Sequence, residues 1–404
     1  MSIDAFAERI AAQTAVPLHG LRFADSVAAL VVGSRTREAR ALAGLYGGRT
    51  GAAYMAAAMR LTELDDIDLR TCTTPSAVVV PVVLEAARRA PASPVAVARG
   101  LHAGYAATAQ AALGAGGIEV MSRGLWPTLL VAPLGAAVAA GVMRGLPADR
   151  LATAMRLGLS RSVGRAGATI APLPSRWWLF GECVAAGIAS AAAAEAGFTA
   201  DAHLDGPYAE AFADVASADE LGWISQKTFP TARQGANALV AFRELLRDEA
   251  VDPARIAHVE IEVPPPCVRV ISQPLDPANR LLLISNAGLR FGAAAFSPAR
   301  LVEVDPVEPF PTEVLAFAAR VSVSPSAQLE ASFPREWGAR VVVELDGGRR
   351  IERTRRTIPG DPDQPLALDG LIEKYPDVER ALIEDAVNAL TDADALARTL
   401  ARVA

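Results

Sequence analysis

Over residues 1–250, apolar side chains recur at every third or fourth position, and near Val259 the interval drops to two. No other feature constrains the fold as strongly. Spacing of three to four keeps the apolar set on one face of a helix, whereas spacing of two puts it on one face of a strand. Segments such as "FADSVAALVVGSRTREARALAGLYG" and "SPVAVARGLHAGYAATAQAALGA" follow one another with short Gly, Pro, Asp or Ser loops between them. Asp4–Glu8, and Ser93 followed by Pro94, read as capped helix starts. Past residue 255, "RIAHVEIEVPPP" alternates and stops on prolines, as a strand does. Residues 280–296 read as helix, "ARVVVELDGGRRIERTRRTI" reads as a hairpin about its Asp-Gly-Gly turn, and the sequence from "LDGLIEKY" onward returns to helix. At 404 residues the chain is too long for one core. The expectation is a mainly α protein: a large all-helical domain from residues 1–253 and 378–404, with a smaller α+β lid domain, 256–375, inserted in it.

Composition narrows the functional classes. Hydrophobic residues make up 51% and aromatic residues only 5%, because alanine dominates, which favours closely packed helices. A net charge of −6 argues against nucleic acid as a partner. Three cysteines and four histidines are scattered without ligand spacing, so neither a disulfide framework nor a metal site is expected. "GGRTGA" and "GAGGIE" fit neither a P-loop nor a dinucleotide fingerprint, and no Gly-x-Ser-x-Gly elbow occurs. The first residues lack the charged-then-apolar pattern of a signal peptide. "TLLVAPLGAAVAAGVM", interrupted by Pro133, is short for a membrane span and reads as a buried helix. A cytoplasmic location and no membrane partner follow as expectations.

Of the 39 basic residues, only Lys227 and Lys374 are lysine. Arginine does not exchange a proton near neutral pH and lysine can, so a chain that writes almost every cation as Arg keeps an amine where chemistry asks for one. Lys227 lies in "ISQKTFPTARQGANALVAF", one of four polar or aromatic islands in the apolar background. The others are "ELDDIDLRTCTTPSA" (63–77), with four acids in six positions, "SRGLWPTLL" (122–130) and "PSRWWLFGECVAAG" (174–187).

In order and spacing these islands resemble the MmgE/PrpD family, which includes 2-methylcitrate dehydratase, cis-aconitate decarboxylase and iminodisuccinate epimerase. "TTPSAVVVPVVLEAA" is similar to the family's His-Pro-Ser pair and apolar helix, and "GLWPTLL" to its Gly-x-His-Pro-Thr turn. "RWWLFGECVAAG" is similar to its Lys-x-x-x-x-Gly helix, "KTFPTARQGANAL" to its Lys-x-Tyr/Phe-Pro turn, and "PGDPDQPLALDGLIEKY" to its closing segment. The resemblance implies a helical domain with an inserted lid, a homodimer, and cofactor-free chemistry on small carboxylates in an interdomain cleft. It also implies catalytic roles for Lys227, Asp66 and Glu63, with Asp65 beside them, and substrate-binding roles for Thr74, Trp126, Arg176, Arg233, Gln234 and His102.

The family's imidazoles are gone: Thr74 (or Thr73), Trp126 and Ala236 stand at their positions, and Arg176 replaces a lysine. Trp126, Trp177 and Trp178 are expected to make the pocket more apolar, and Arg176 and Arg233 to clamp a carboxylate. The expected function is a lyase or isomerase acting on a small carboxylate-bearing substrate of specialised metabolism, by elimination, decarboxylation, isomerisation or cyclisation. The alternative is a non-catalytic relative that binds a small molecule or partner.

Overall fold

The computed structural model of the chain describes residues 3–17, 19–165, 175–206, 212, 221–276, 279, 284–306 and 309–403. They divide into two compact units, the first drawn from Met1–Thr169, Ser175–Gln226 and Leu366–Ala404, the second chiefly from Lys227–Pro365. The chain is mainly helical, and the second unit also holds a sheet.

In the first unit, helices α1 (Ile3–Ala12), α2 (Gly20–Gly33), α3 (Arg37–Leu45) and α4 (Ala52–Arg60) lead into a short strand β1 (Ile67–Asp68). Helices α5 (Pro75–Arg89), α6 (Pro94–Ala115), α7 (Pro127–Met143), α8 (Ala148–Ser160) and α9 (Ser175–Glu195) follow, then strand β2 (Ile224–Ser225). Helix α7 is the hub, packed against α5, α6, α8 and α9. It is apolar almost all round and nearly all buried, as expected for the stretch containing Pro133. That proline cannot donate to the carbonyl four residues earlier. The freed carbonyl of Leu129 accepts instead from Cys183 Sγ of α9 at 3.5 Å. Burial pushes the Cys183 thiol up to about 12, so it keeps the proton it donates. A Cβ on Gly187 would lie 2.3 Å from the Pro133 carbonyl oxygen, so this crossing requires glycine. A core of alanines stabilises through many close contacts, each smaller than the roughly 1.5–3 kcal/mol of a buried Leu or Val. Helix α9 is long and apolar enough to cross a membrane by length and composition, and half of its apolar window is buried. Ser93 caps α6 by accepting from the Ala96 N–H at 3.2 Å, with Pro94 at the first helical position.

The second unit opens with α10 (Arg233–Asp248), followed by strand β3 (Ile256–Val263), α11 (Pro265–Ile271), α12 (Ala287–Phe296), α13 (Thr312–Ala318), strand β4 (Val321–Pro325) and α14 (Ala327–Glu330). Strands β5 (Ala339–Leu345) and β6 (Arg350–Arg355) complete a four-stranded sheet in the order β4-β3-β5-β6. Strand β3 runs parallel to β4 and antiparallel to β5, and β5 and β6 form the expected hairpin, with Gly347 and Gly348 at positive φ in the turn. Of the helix expected over 280–296, Ala287–Phe296 is α12, capped by the Asn286 side chain, and 280–283 lie outside the described residues.

The unit boundaries differ from those read in the sequence. Helix α10 packs on β3, β5 and β6, and its Phe242 stacks on Phe291 of α12 at 4.5 Å. The second unit therefore begins at Lys227 rather than 256. It ends at Pro365 rather than 375, because the chain then rejoins the first unit through α15 (Leu368–Lys374), α16 (Arg380–Asn388) and α17 (Ala393–Arg402). Helix α15 is anchored to α2 by an ion pair from its last residue, Lys374, to Asp25, and α16 packs on α2. Periodicity shows where a helix lies but not which surface it covers.

Candidate functional site

The acid island is buried. Glu63, Asp65, Asp66 and Asp68 are each less than a tenth exposed, and each carboxylate is held by hydrogen-bond donors. Arg60, on the last turn of α4, reaches Glu63 at 2.7 Å and also pairs with Asp65. Asp66 accepts from the Ser76 backbone N–H at 3.0 Å and from the Tyr105 hydroxyl at 2.8 Å. Asp68 accepts from the Arg70 backbone N–H at 2.8 Å and from its guanidinium at 2.7 Å. Two non-glycine residues of this segment, Glu63 (φ 51) and Cys72 (φ 57), take the left-handed conformation that side chains disfavour. Strain of this kind persists where surrounding contacts over-determine it, and it concentrates at functional sites.

Asp66 differs from its neighbours because, among the described residues, no cation pairs with it. Burial raises its carboxyl from the ordinary 3.8 to about 6, against the pull of its hydrogen bonds to Ser76 and Tyr105. A carboxyl so placed exchanges a proton close to neutral pH, which a general acid or base requires.

The second and third islands meet on the same unit. Thr128, at the start of α7, accepts from the Thr74 backbone N–H at 3.1 Å. Trp126 precedes that helix, its N–H bonded to the Gly164 carbonyl at 2.7 Å. The Arg176 guanidinium lies over its ring, 3.8 Å from the centroid. Arg176 is buried, and among the described residues no carboxylate forms an ion pair with it. Burial pulls its guanidinium down to about 10, while Glu63 and Cys72 favour its charge and Arg60 opposes it. It remains a cation at neutral pH. A buried guanidinium held on an aromatic face can receive an anion.

Trp177 and Trp178 do not join this stack. Trp177 is 2% exposed, within the core, and Trp178 is 42% exposed. Successive helical residues point about 100° apart, so a Trp-Trp pair next to Arg176 cannot share its face. His102 enters none of these contacts and lines a separate pocket with Tyr105.

Lys227, Arg233 and Gln234 belong to the second unit and are all buried. The Arg233 guanidinium is committed there: it pairs with Asp361 and donates to Asn237 Oδ1 at 2.6 Å. Asp361 in turn accepts from the Ile358 N–H at 3.0 Å, and Asn237 donates to the Arg356 carbonyl at 2.8 Å. Arg233 thus fastens the 355–361 segment to α10, in place of the carboxylate clamp expected from the sequence.

Several residues escaped the sequence reading. Arg60 was legible, three residues before Glu63 at the end of a helix. Tyr105 was not, since a lone tyrosine in an alanine-rich helix reads as core. Lys374 carried the same signal of rarity as Lys227. Its side chain is buried, pairs with Asp25 at 2.5 Å and donates to the Leu64 carbonyl at 3.0 Å, between Glu63 and Asp65. Tyr375 and Gln226 complete the ring around Asp25, at 2.7 and 3.2 Å. Strand β2 also fixes the acid island, pairing Ile67 with Ser225 and Asp68 with Ile224. Among the described residues, no group of three or more His, Cys, Asp or Glu side chains could hold a metal ion.

Comparison with curated proteins finds no match. Family models match the chain twice, the MmgE/PrpD N-terminal domain over residues 49–221 and the MmgE/PrpD C-terminal domain over residues 229–395. Together they account for most of the chain, which therefore belongs to the MmgE/PrpD family.

Proposed function

We propose that this chain is a lyase- or isomerase-type enzyme acting on a small carboxylate, with Arg176 as the carboxylate anchor and Asp66 as the group that exchanges a proton at the adjacent carbon. The observation that carries the reading is the buried Arg176 guanidinium on Trp126, with no ion-pair partner among the described residues. The family's dehydratase and lyase character agrees with it. An anchored carboxylate fixes the neighbouring C–H bond and places negative charge next to a cation as the proton leaves. Arg60 offsets part of the negative charge of Glu63 and Asp65 and so lessens their repulsion of an incoming carboxylate. Lys227 is the second proton-handling candidate, on the ground of its chemistry in an arginine-biased chain. An aromatic face at Trp126, where the family has an imidazole, favours a less polar substrate than a tricarboxylate, as specialised metabolism supplies. A cytoplasmic homodimer is part of the same reading, with light scattering as its test.

The non-catalytic alternative rests on Thr74 and Trp126 standing where the family has histidines. One experiment separates the two readings. The protein is incubated in D2O with a panel of small mono-, di- and tricarboxylates, and deuterium next to the carboxylate is followed by NMR and mass spectrometry. The enzyme reading expects exchange or turnover of at least one compound, abolished in Asp66→Asn and lost through weakened binding in Arg176→Gln. Binding without exchange supports the alternative, and exchange that survives both substitutions overturns the site assignment.

A further inference from the structure

The glycines of α6 set how closely it lies on α5. Gly100 and Gly104 are one turn apart and face Val83 and Val79, also one turn apart, on α5. A Cβ on Gly104 would lie 2.7 Å from both methyl carbons of Val79, and one on Gly100 would lie 3.0 Å from Val83 Cγ1. With hydrogen in their place the two helices pack directly on each other. Tyr105, next to Gly104, is thereby carried up to the start of α5.

The crossing brings two donors onto one carboxylate. At the start of α5, Thr74 makes no side-chain cap and Pro75 has no N–H, so the first N–H of the helix is that of Ser76. It donates to Oδ1 of Asp66 at 3.0 Å, and the Tyr105 hydroxyl donates to Oδ2 at 2.8 Å. One donor on each oxygen fixes the plane of the carboxylate. Burial first, then the charge of Asp66, holds the Tyr105 phenol well above its ordinary 10, so it keeps the proton it donates. A phenol donating to a carboxylate stabilises the ionised form and opposes the burial that raises Asp66. The other charged and titratable groups around the pair are Asp65, held by Arg60 of α4, Arg22 of α2, whose charge reaches Tyr105, and Tyr375, bonded to Asp25.

We propose that Tyr105 is a positioning residue of the candidate site: its hydroxyl holds the Asp66 carboxylate in one plane and keeps it ionised, and so able to accept a proton, at neutral pH. The role rests on the assignment of Asp66 as the group that exchanges a proton. Loss of a hydrogen bond to a charged group moves a carboxyl up by about one to two pH units. From about 6, that step takes Asp66 to a midpoint at or above neutrality, where a large share of it is protonated and cannot act as a base.

Tyr105→Phe removes the hydroxyl and leaves the ring in its place. Tyr54→Phe is the control, because Tyr54 of α4 is equally buried and its hydroxyl has no hydrogen-bond partner. The Asp66 carboxyl is titrated by NMR in protein with isotopically labelled aspartate carboxyl carbons, its signal being the one missing from Asp66→Asn. Circular dichroism checks that each variant is folded. The expected result in Tyr105→Phe is a midpoint higher by about one pH unit or more, a tenfold or greater tightening of proton binding, with no movement in Tyr54→Phe. The pH profile of exchange in D2O should move up by the same amount. At neutral pH kcat should fall more than KM changes, and raising the pH should restore it, which a loss of structure would not allow. An Asp66 midpoint that stays or falls in Tyr105→Phe, or that rises as far in Tyr54→Phe, would overturn the proposal. The titration needs no substrate, so a parent that exchanges nothing in D2O counts against the enzyme reading alone, and the midpoints still decide the role of Tyr105.

Discussion

Asp66→Asn should make the protein more stable at neutral pH while removing its proposed chemistry. The wild-type carboxyl sits at about 6 in the folded chain against an ordinary 3.8, because burial disfavours its charge. A raised carboxyl binds its proton more tightly when folded, so its favourable contribution is complete below 3.8 and is lost as pH rises through about 6. At about 1.36 kcal/mol per pH unit, the gap amounts to about 3 kcal/mol over the whole range, of which about 1.4 kcal/mol falls between about pH 5 and about pH 8. Asparagine keeps the shape: Oδ1 can accept from the Ser76 N–H, and Nδ2 can donate to the Tyr105 oxygen. The assay is urea unfolding of both proteins at those two pH values, followed by far-UV circular dichroism. The mutant should gain about 1.4 kcal/mol on the parent between them. A difference that stays flat with pH, or one that favours the parent as pH rises, would refute the claim that Asp66 is a buried carboxyl without a paired cation.

Three further outcomes follow from the same structure. Lys227→Ala should abolish turnover, whereas Lys227→Arg should retain it only if the ammonium is a fixed charge, since guanidinium does not release a proton at working pH; activity in both mutants equal to the parent would remove Lys227 from the mechanism. Lys374→Met should cost about 3–5 kcal/mol by leaving Asp25 buried without its cation, and the double variant Asp25→Leu/Lys374→Met should cost less than either single change, which a double-mutant cycle in urea checks. Gly187→Ala should lower stability by about 1–3 kcal/mol or more, because its Cβ would meet the Pro133 carbonyl oxygen at 2.3 Å and backbone cannot swing aside; an unchanged thermal midpoint would show that the α7–α9 crossing is looser than described.

Periodicity alone determined much of this protein: the long helical run, β3, the hairpin about Gly347 and Gly348, the buried helix around Pro133 and the cap at Ser93 are local features, and local spacing and turn chemistry specify them. The sequence also singled out the acid cluster and the Arg beside tryptophans in the first unit, because both are conspicuous against an alanine background. The sequence could not give each one's electrostatic fate. Asp65 and Asp66 are adjacent and chemically identical, yet one is paired with Arg60 and the other is held by Tyr105, a helix away in sequence. Arg176 and Arg233 both read as carboxylate clamps, yet Arg233 is paired with Asp361, a distant residue that folds back onto it, while Arg176 has no ion-pair partner among the described residues. Charge and proton affinity depend on burial and on partners brought together from far along the chain, and those are decided only when the helices pack.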